Sequence, residues 1–397
     1  MSAKDEDPNQ WEPATRLIRG GASRTAVGEI GEPIFLTQSY AYDSAEAADA
    51  RFAGTDDGFI YTRYGNPTTL MFEQRLALLE GAEYCRAFAS GMAAIHMALM
   101  GMVRAGDHIV AGKALFGSCR WILGQWAPRF GIETTLVDAP DLDQWRAAMR
   151  PNTRVVLIES PANPLLELTD IAAVAKLAHE VGAKVIVDNV FATPIFQSPL
   201  HLGADIVAYS ATKHIDGGGR VLGGALLGSK ALLEEAYRDP IRHTGPSLSP
   251  FNAWVLLKGL ETLDLRVRRQ AETATALADL IAAHPEVKRA LYPFHSSHPQ
   301  FDLAKRQMTG GGTVVAFDVG SRESAFRVLN ALQIVDISNN LGDAKSMATH
   351  PATTTHRSMT PEQRAEVGVT EGYIRLSVGL EGAADLSRDL QRALDAA

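Results

Sequence analysis

From about residue 63 to 250, short apolar runs alternate with stretches whose apolar residues recur every three to four positions. That alternation predicts a mostly parallel sheet covered by helices on both faces. Strands are expected at Cys85 to Ala89, His108-Ile109-Val110, Thr135-Leu136-Val137, Val155 to Ile158, Val185-Ile186-Val187, Ile206-Val207-Ala208 and Ala225-Leu226-Leu227. Between two of them Ile171, Val174, Ala175, Ala178 and Val181 keep helical spacing behind Asp170, an N-cap residue, so that segment reads as a crossover helix. After Pro250 a helical pattern runs from about Ala253 to Ala283. A second αβ pattern follows, with strands near Thr313 to Val319 and Tyr373 to Ser377. Residues 1–62 have few periodic segments and many polar breaks. They read as an extended arm ahead of a main domain (63–252) and a smaller carboxy-terminal domain (253–397).

At 397 residues the chain is long enough for more than one core. Its 46% hydrophobic and 21% charged residues exclude disorder and fibrous classes. A net charge of −8 argues against nucleic acid, which needs a basic face. Cys85 and Cys119 are too few for a disulfide framework and lack a Cys-x-x-Cys spacing. The polar start, Met1 to Pro13, is not a secretory signal, and no run approaches the ~18 apolar residues of a membrane span. A cytoplasmic protein with no membrane partner is expected.

In open α/β sheets ligands bind beyond the carboxyl ends of the strands, and here those ends are polar. Glu159 follows one run and leads into Ser160-Pro161-Ala162-Asn163-Pro164; Asp188-Asn189 follows the next. Tyr209-Ser210-Ala211-Thr212-Lys213-His214 follows the third. A lysine flanked by small hydroxyl residues, with a lone acid at an earlier strand end, is the set a pyridoxal phosphate enzyme needs. The amine can tether an aldehyde, the acid can pair with a pyridinium nitrogen, and the hydroxyls can hold phosphate. An Asp-Asn turn and a solvated lysine are the bland readings of the same residues.

Ser90-Gly91-Met92 opens an apolar helix whose free amides suit phosphate, although a plain serine cap fits equally. In Tyr61-Thr62-Arg63-Tyr64-Gly65-Asn66-Pro67 an exposed Arg63 can grip phosphate, or merely cover the surface. Arg375, between Ile374 and Leu376, calls for a buried carboxylate partner, from a ligand or from an internal salt bridge. The run Gly217 to Gly224 lacks the Gly-Lys-Ser/Thr ending of a nucleotide loop and reads as a flexible loop. No His-Glu-x-x-His pair occurs, so no metal is expected.

Assembled, these pieces resemble the Cys/Met-metabolism family of fold-type I pyridoxal phosphate enzymes along nearly the whole chain. The likeness rests on Tyr61 to Thr68, Ser90-Gly91-Met92, Glu159 to Pro164, Asp188 and Ser210-Ala211-Thr212-Lys213. It implies an α/β fold with a mostly parallel seven-stranded sheet, and pyridoxal 5'-phosphate held by Lys213, Asp188, Ser90, Gly91, Met92, Phe116, Ser210 and Thr212. Tyr61 and Arg63 would reach the phosphate of a neighbouring subunit, making a homo-oligomer, a tetramer, with shared sites. Arg375, Asn163 and Asn340 would meet the substrate. Many members carry a tyrosine where this chain has Phe116, which stacks but has no titratable hydroxyl, leaving proton transfer to Lys213. Asn340 to Ser346 and Asp216 to Arg220 resemble the branch that makes homocysteine from an acylated homoserine, O-succinyl-L-homoserine, and sulfide. An acetyl donor, cysteine as nucleophile and γ-elimination stay open within the family. Outside it, a nucleotide-binding α/β protein is the alternative.

Overall fold

The computed structural model describes residues 7–397. All seven apolar runs form strands of one sheet: β1 (Tyr84–Phe88), β2 (His108–Gly112), β3 (Glu133–Val137), β4 (Thr153–Glu159), β5 (Lys184–Asp188), β6 (Ile206–Ser210) and β7 (Gly224–Gly228). The order is β1-β7-β6-β5-β4-β2-β3. Only β7 runs antiparallel to its neighbours; the other pairs are parallel. Successive side chains on a strand alternate between faces, and both faces are apolar here. Ile109, Leu157 and Ile186 pack toward Ala94, Ile95 and Ala98 of the helix Gly91–Met100. Val110, Val156 and Val185 pack toward Val174 and Ala178 of Ile171–Glu180, the expected crossover helix, whose first turn Asp170 caps. Burying each such side chain contributes about 1.5–3 kcal/mol, so registers that turn either set outward are strongly disfavoured.

A second sheet of five strands, order β10-β11-β12-β9-β8, lies in the carboxy-terminal part. It comprises β8 (Arg289–Leu291), β9 (Val314–Asp318), β10 (Asp336–Ile337), β11 (Met347–Thr349) and β12 (Tyr373–Ser377). The expected single helix from Ala253 to Ala283 is two, Pro250–Leu260 and Leu263–Ala283, broken where Thr262 leaves helical geometry. Turning there lets Glu261 pair with both Lys258 and buried Arg75. The glycine-rich loop is pinned rather than free. Asp216 Oδ2 accepts the Arg220 N–H at 2.7 Å and Oδ1 accepts Nε at 3.0 Å, while Gly217 and Gly219 take the positive φ that closes the turn.

The arm carries two short helices, Pro13–Arg19 and Ala45–Ala53. It is strapped to the helix Pro67–Glu80 by Arg75, which pairs with Glu32 and donates to Gly20 O at 2.8 Å. Trp254 Nε1 and Lys258 Nζ also reach Glu32, at 2.9 and 3.0 Å. Beyond those ties Val27, Ile30 and Leu36 stay 88, 87 and 70% exposed.

Candidate active site

Because β4, β5 and β6 are parallel and in register, their polar carboxyl ends meet at one edge, with Glu159 opposite Asp188 and Asp188 opposite Ala208. Glu159 is buried and accepts two backbone N–H groups at 2.8 Å, from Phe116 and Asn163. Asp188 accepts only the Val190 N–H, at 3.1 Å. That bond is the Asp-Asn turn of the bland reading. It leaves the rest of the carboxylate facing a cavity. Burial raises both carboxyls above their ordinary range, and the Asp188 charge adds to the rise at Glu159. Among the described residues neither forms an ion pair with a cation.

The cavity has a volume of about 280 Å³, and Lys213, Asp188, Asn163 and Arg375 line it together with Ser210 and Thr212. Lys213 follows β6 directly, and its Nζ donates to Asn340 Oδ1 across the two sheets. Burial, aided by the charge of Arg375, brings its pKa down to about 8. Arg375 comes from β12 in the second sheet and is 2% exposed. Its Nη1 donates to Asn163 Oδ1 at 2.8 Å and its Nη2 to the Asn339 and Asn340 carbonyls at 2.8 and 3.2 Å. Burial lowers its pKa to about 10. No carboxylate pairs with it among the described residues, so the internal salt bridge is absent. Its Nε is buried without a hydrogen-bond partner, a condition that costs about 1–3 kcal/mol.

Ser90 caps the ten-residue helix Gly91–Met100, its hydroxyl accepting the Ala93 N–H at 3.1 Å. The cap and the ligand-facing readings coincide, since Ser90, Gly91 and Met92 all line the cavity. Gly91 is required by close approach: an added Cβ would lie 2.5 Å from Ser210 Cβ. Thr212 is occupied elsewhere, its Oγ1 donating to Gly223 O and accepting Gly223 N–H at 3.2 and 3.1 Å. Phe116 forms part of the wall and is 37% exposed.

Tyr61 and Arg63 do not reach this cavity within the chain. The Arg63 guanidinium lies over the Tyr61 and Tyr64 rings, 5.4 and 4.8 Å from their centroids, and donates to Arg242 O. Several lining residues carried no signal of their own in the sequence, among them Asn339, Leu222 and Cys119. Glu159 was visible as a polar strand end, and its position between Phe116 and Asn163 gives it a structural task.

These residues fit pyridoxal phosphate. Asp188 has room for a cation, Lys213 is an amine kept partly neutral, and Arg375 is a buried cation with one donor left without a partner. The glycine-opened helix start next to Ser210 presents N–H groups and the positive end of the helix dipole to a phosphate.

The chain matches the family described as Cys/Met metabolism PLP-dependent enzyme over residues 14–395. It is 51% identical to an O-succinylhomoserine sulfhydrylase of Mycobacterium tuberculosis over 98% of this chain and 97% of the relative. A second O-succinylhomoserine sulfhydrylase, from Pseudomonas aeruginosa, is 47% identical over 96% and 95%. An L-methionine gamma-lyase of Porphyromonas gingivalis is 42% identical over 99% of each chain. Among solved structures, metB from Corynebacterium glutamicum superposes with a TM-score of 0.93 at 35% identity, covering 98% of this chain and 99% of that one. A putative O-acetylhomoserine (thiol)-lyase from Campylobacter jejuni, solved with N'-pyridoxyl-lysine-5'-monophosphate, also gives 0.93, at 31% identity over 97% and 100%. With the lysine, the acid and the start of the helix Gly91–Met100 at one sheet edge, the chain belongs to the Cys/Met metabolism family of pyridoxal-phosphate-dependent enzymes.

Proposed function

We propose that this protein carries out a γ-replacement, converting O-succinyl-L-homoserine and sulfide into L-homocysteine and succinate. The observation that carries the reading is the meeting of Lys213, Asp188 and Arg375 in one cavity. The likeness to two O-succinylhomoserine sulfhydrylases supports the choice of donor. Bound there, pyridoxal phosphate supplies an aldehyde for amines and a ring that takes up the electrons left when the Cα–H bond breaks. Asp188 holds positive charge at the ring nitrogen. Ser210 and the backbone amides of Gly91 and Met92 hold the phosphate, and Phe116 covers the ring without offering a proton. Arg375, backed by Asn163, takes the α-carboxylate.

Asn340 directs the Lys213 amine toward the substrate. Lys213 Nζ removes the proton from Cα, would hand it on to the bound cofactor so that the amine is neutral again, and then removes one from Cβ, so that succinate leaves from Cγ as its carboxylate. After sulfide adds at Cγ, the same amine returns protons to Cβ and Cα. A pKa near 8 suits both directions, because near neutral pH the amine exists in both forms. In this reading the protein works in the cytoplasm as a homotetramer, with Tyr61 and Arg63 reaching a neighbour's phosphate. Their position outside their own cavity, on an arm with exposed apolar residues, supports that assembly.

The test is a product analysis with O-succinyl- and O-acetyl-L-homoserine, each with sulfide, cysteine or neither. Homocysteine should dominate with the succinyl donor and sulfide. Main release of 2-oxobutyrate, or equal use of both donors, would sink the reading.

A further inference from the structure

Behind Asp188 runs a set of buried polar side chains that the reaction does not use. Strand alternation sends the Asp188 side chain into the cavity and that of Asn189 to the opposite side. Asn189 is 0% exposed and its amide is saturated. Nδ2 donates to Tyr209 Oη at 2.6 Å, to Gln197 O at 2.9 Å and to Thr193 O at 3.3 Å, and Oδ1 accepts Gln197 Nε2 at 2.8 Å. Tyr209, on β6, donates its own hydroxyl hydrogen bond to Glu80 Oε2 at 2.6 Å. Glu80 ends the helix Pro67–Glu80 and is 2% exposed; its other oxygen has no hydrogen-bond partner. A buried acid costs stability, and this one sits 129 positions from the tyrosine it serves.

The far end of this chain shapes the cavity. Thr193 holds a positive φ of 61°, unusual for a β-branched residue, and its N–H donates to Asn189 O at 2.9 Å. The turn so held contains Val190 and Phe191, both lining the cavity, and Val190 supplies the one N–H that Asp188 accepts. Asn189 therefore fixes the backbone on which the acid and two wall residues stand.

We propose that Glu80, Tyr209 and Asn189 form a positioning unit for Asp188, with the Tyr209 hydroxyl as its connecting link. The inference rests on the pyridoxal reading of the cavity, and concerns how firmly the ring is held rather than which substrate is used. Burial pushes the Glu80 carboxyl up to about 8, so near neutral pH it is mostly an uncharged acceptor that adds little field at Asp188. Tyr237 is the natural control. It is equally buried, and its hydroxyl donates to Ala98 O at 3.1 Å, away from Asp188.

The experiment titrates stripped wild-type, Tyr209→Phe, Glu80→Leu, Glu80→Gln and Tyr237→Phe proteins with pyridoxal phosphate, following the visible band, its pH titration and Tm. Tyr209→Phe should weaken cofactor binding about tenfold, as loss of one buried hydrogen bond allows, and displace the pH at which the band changes. Glu80→Leu should do the same to a smaller degree, and Glu80→Gln, which keeps an uncharged acceptor, should restore affinity. Tyr237→Phe should lower Tm without moving affinity or band. Wild-type affinity and band in both Tyr209→Phe and Glu80→Leu, or an equal loss in Tyr237→Phe, overturns the positioning unit. No visible band in the wild type overturns the pyridoxal reading itself, and this inference with it.

Discussion

On the proposed reading, Lys213 gains its reactivity from its surroundings rather than from its type. An ordinary lysine near pH 7 is almost wholly protonated and cannot attack an aldehyde. Burial and the nearby Arg375 lower this one to about 8, which means the neutral amine appears about two and a half pH units earlier. The rate at which stripped protein takes up the cofactor should therefore climb through pH 8 and level off above it, as followed by stopped-flow absorbance. An inflection near 10.5 would contradict the lowered pKa. Arg375 is buried by the same fold yet stays charged, because a guanidinium lowered to about 10 is still protonated at neutral pH. One cation is thus adjustable and the other permanent, matching the proposed tasks of base and carboxylate anchor.

At the level of elements, the approach of β6 to the helix Gly91–Met100 is close enough to dictate sequence. Gly91→Ala places a methyl 2.5 Å from Ser210 Cβ and 2.8 Å from its Cα, so strand or helix must move. A loss of about 1–3 kcal/mol in stability is expected, with weaker cofactor binding, measured by thermal unfolding of stripped protein and by cofactor titration. Unchanged values in both would show that the approach is looser than the geometry states. Strands β4, β5 and β6 were legible in the sequence because each is an apolar run ending in a polar residue. Helix starts were legible through Ser90 and Asp170, each of which bonds a backbone N–H. Strands β8, β10 and β11 were not, since two or three residues carry no period. The break at Thr262 was hidden because the apolar spacing continues across it; what turns the chain is a charge cluster around Glu261 assembled from distant segments. Asn339 escaped for another reason: it serves Arg375 through a backbone carbonyl, which no side-chain pattern reveals.

For the whole molecule, the arm decides whether one chain suffices. Arg63 lies outside its own cavity, held over two tyrosines beside Arg242. If it serves a neighbour, Lys213→Ala and Arg63→Ala proteins should each be nearly inactive, yet regain about a quarter of wild-type activity when unfolded together and reassembled. Half of random pairs are hybrid, and each hybrid has one intact site of two. A mixture no more active than the sum of its parents would place Arg63 in a role within its own chain. The two sheets divide the site in a way that outlasts any single substrate. Lys213, Asp188 and the helix Gly91–Met100 belong to the first, whereas Arg375, Asn339, Asn340 and Thr355 come from the second and its loops. On the proposed assignment of roles, cofactor apparatus is thereby separated from the parts that meet the substrate. A lineage, or an engineer, would then redraw donor preference along residues 339–356 while leaving the cofactor half untouched.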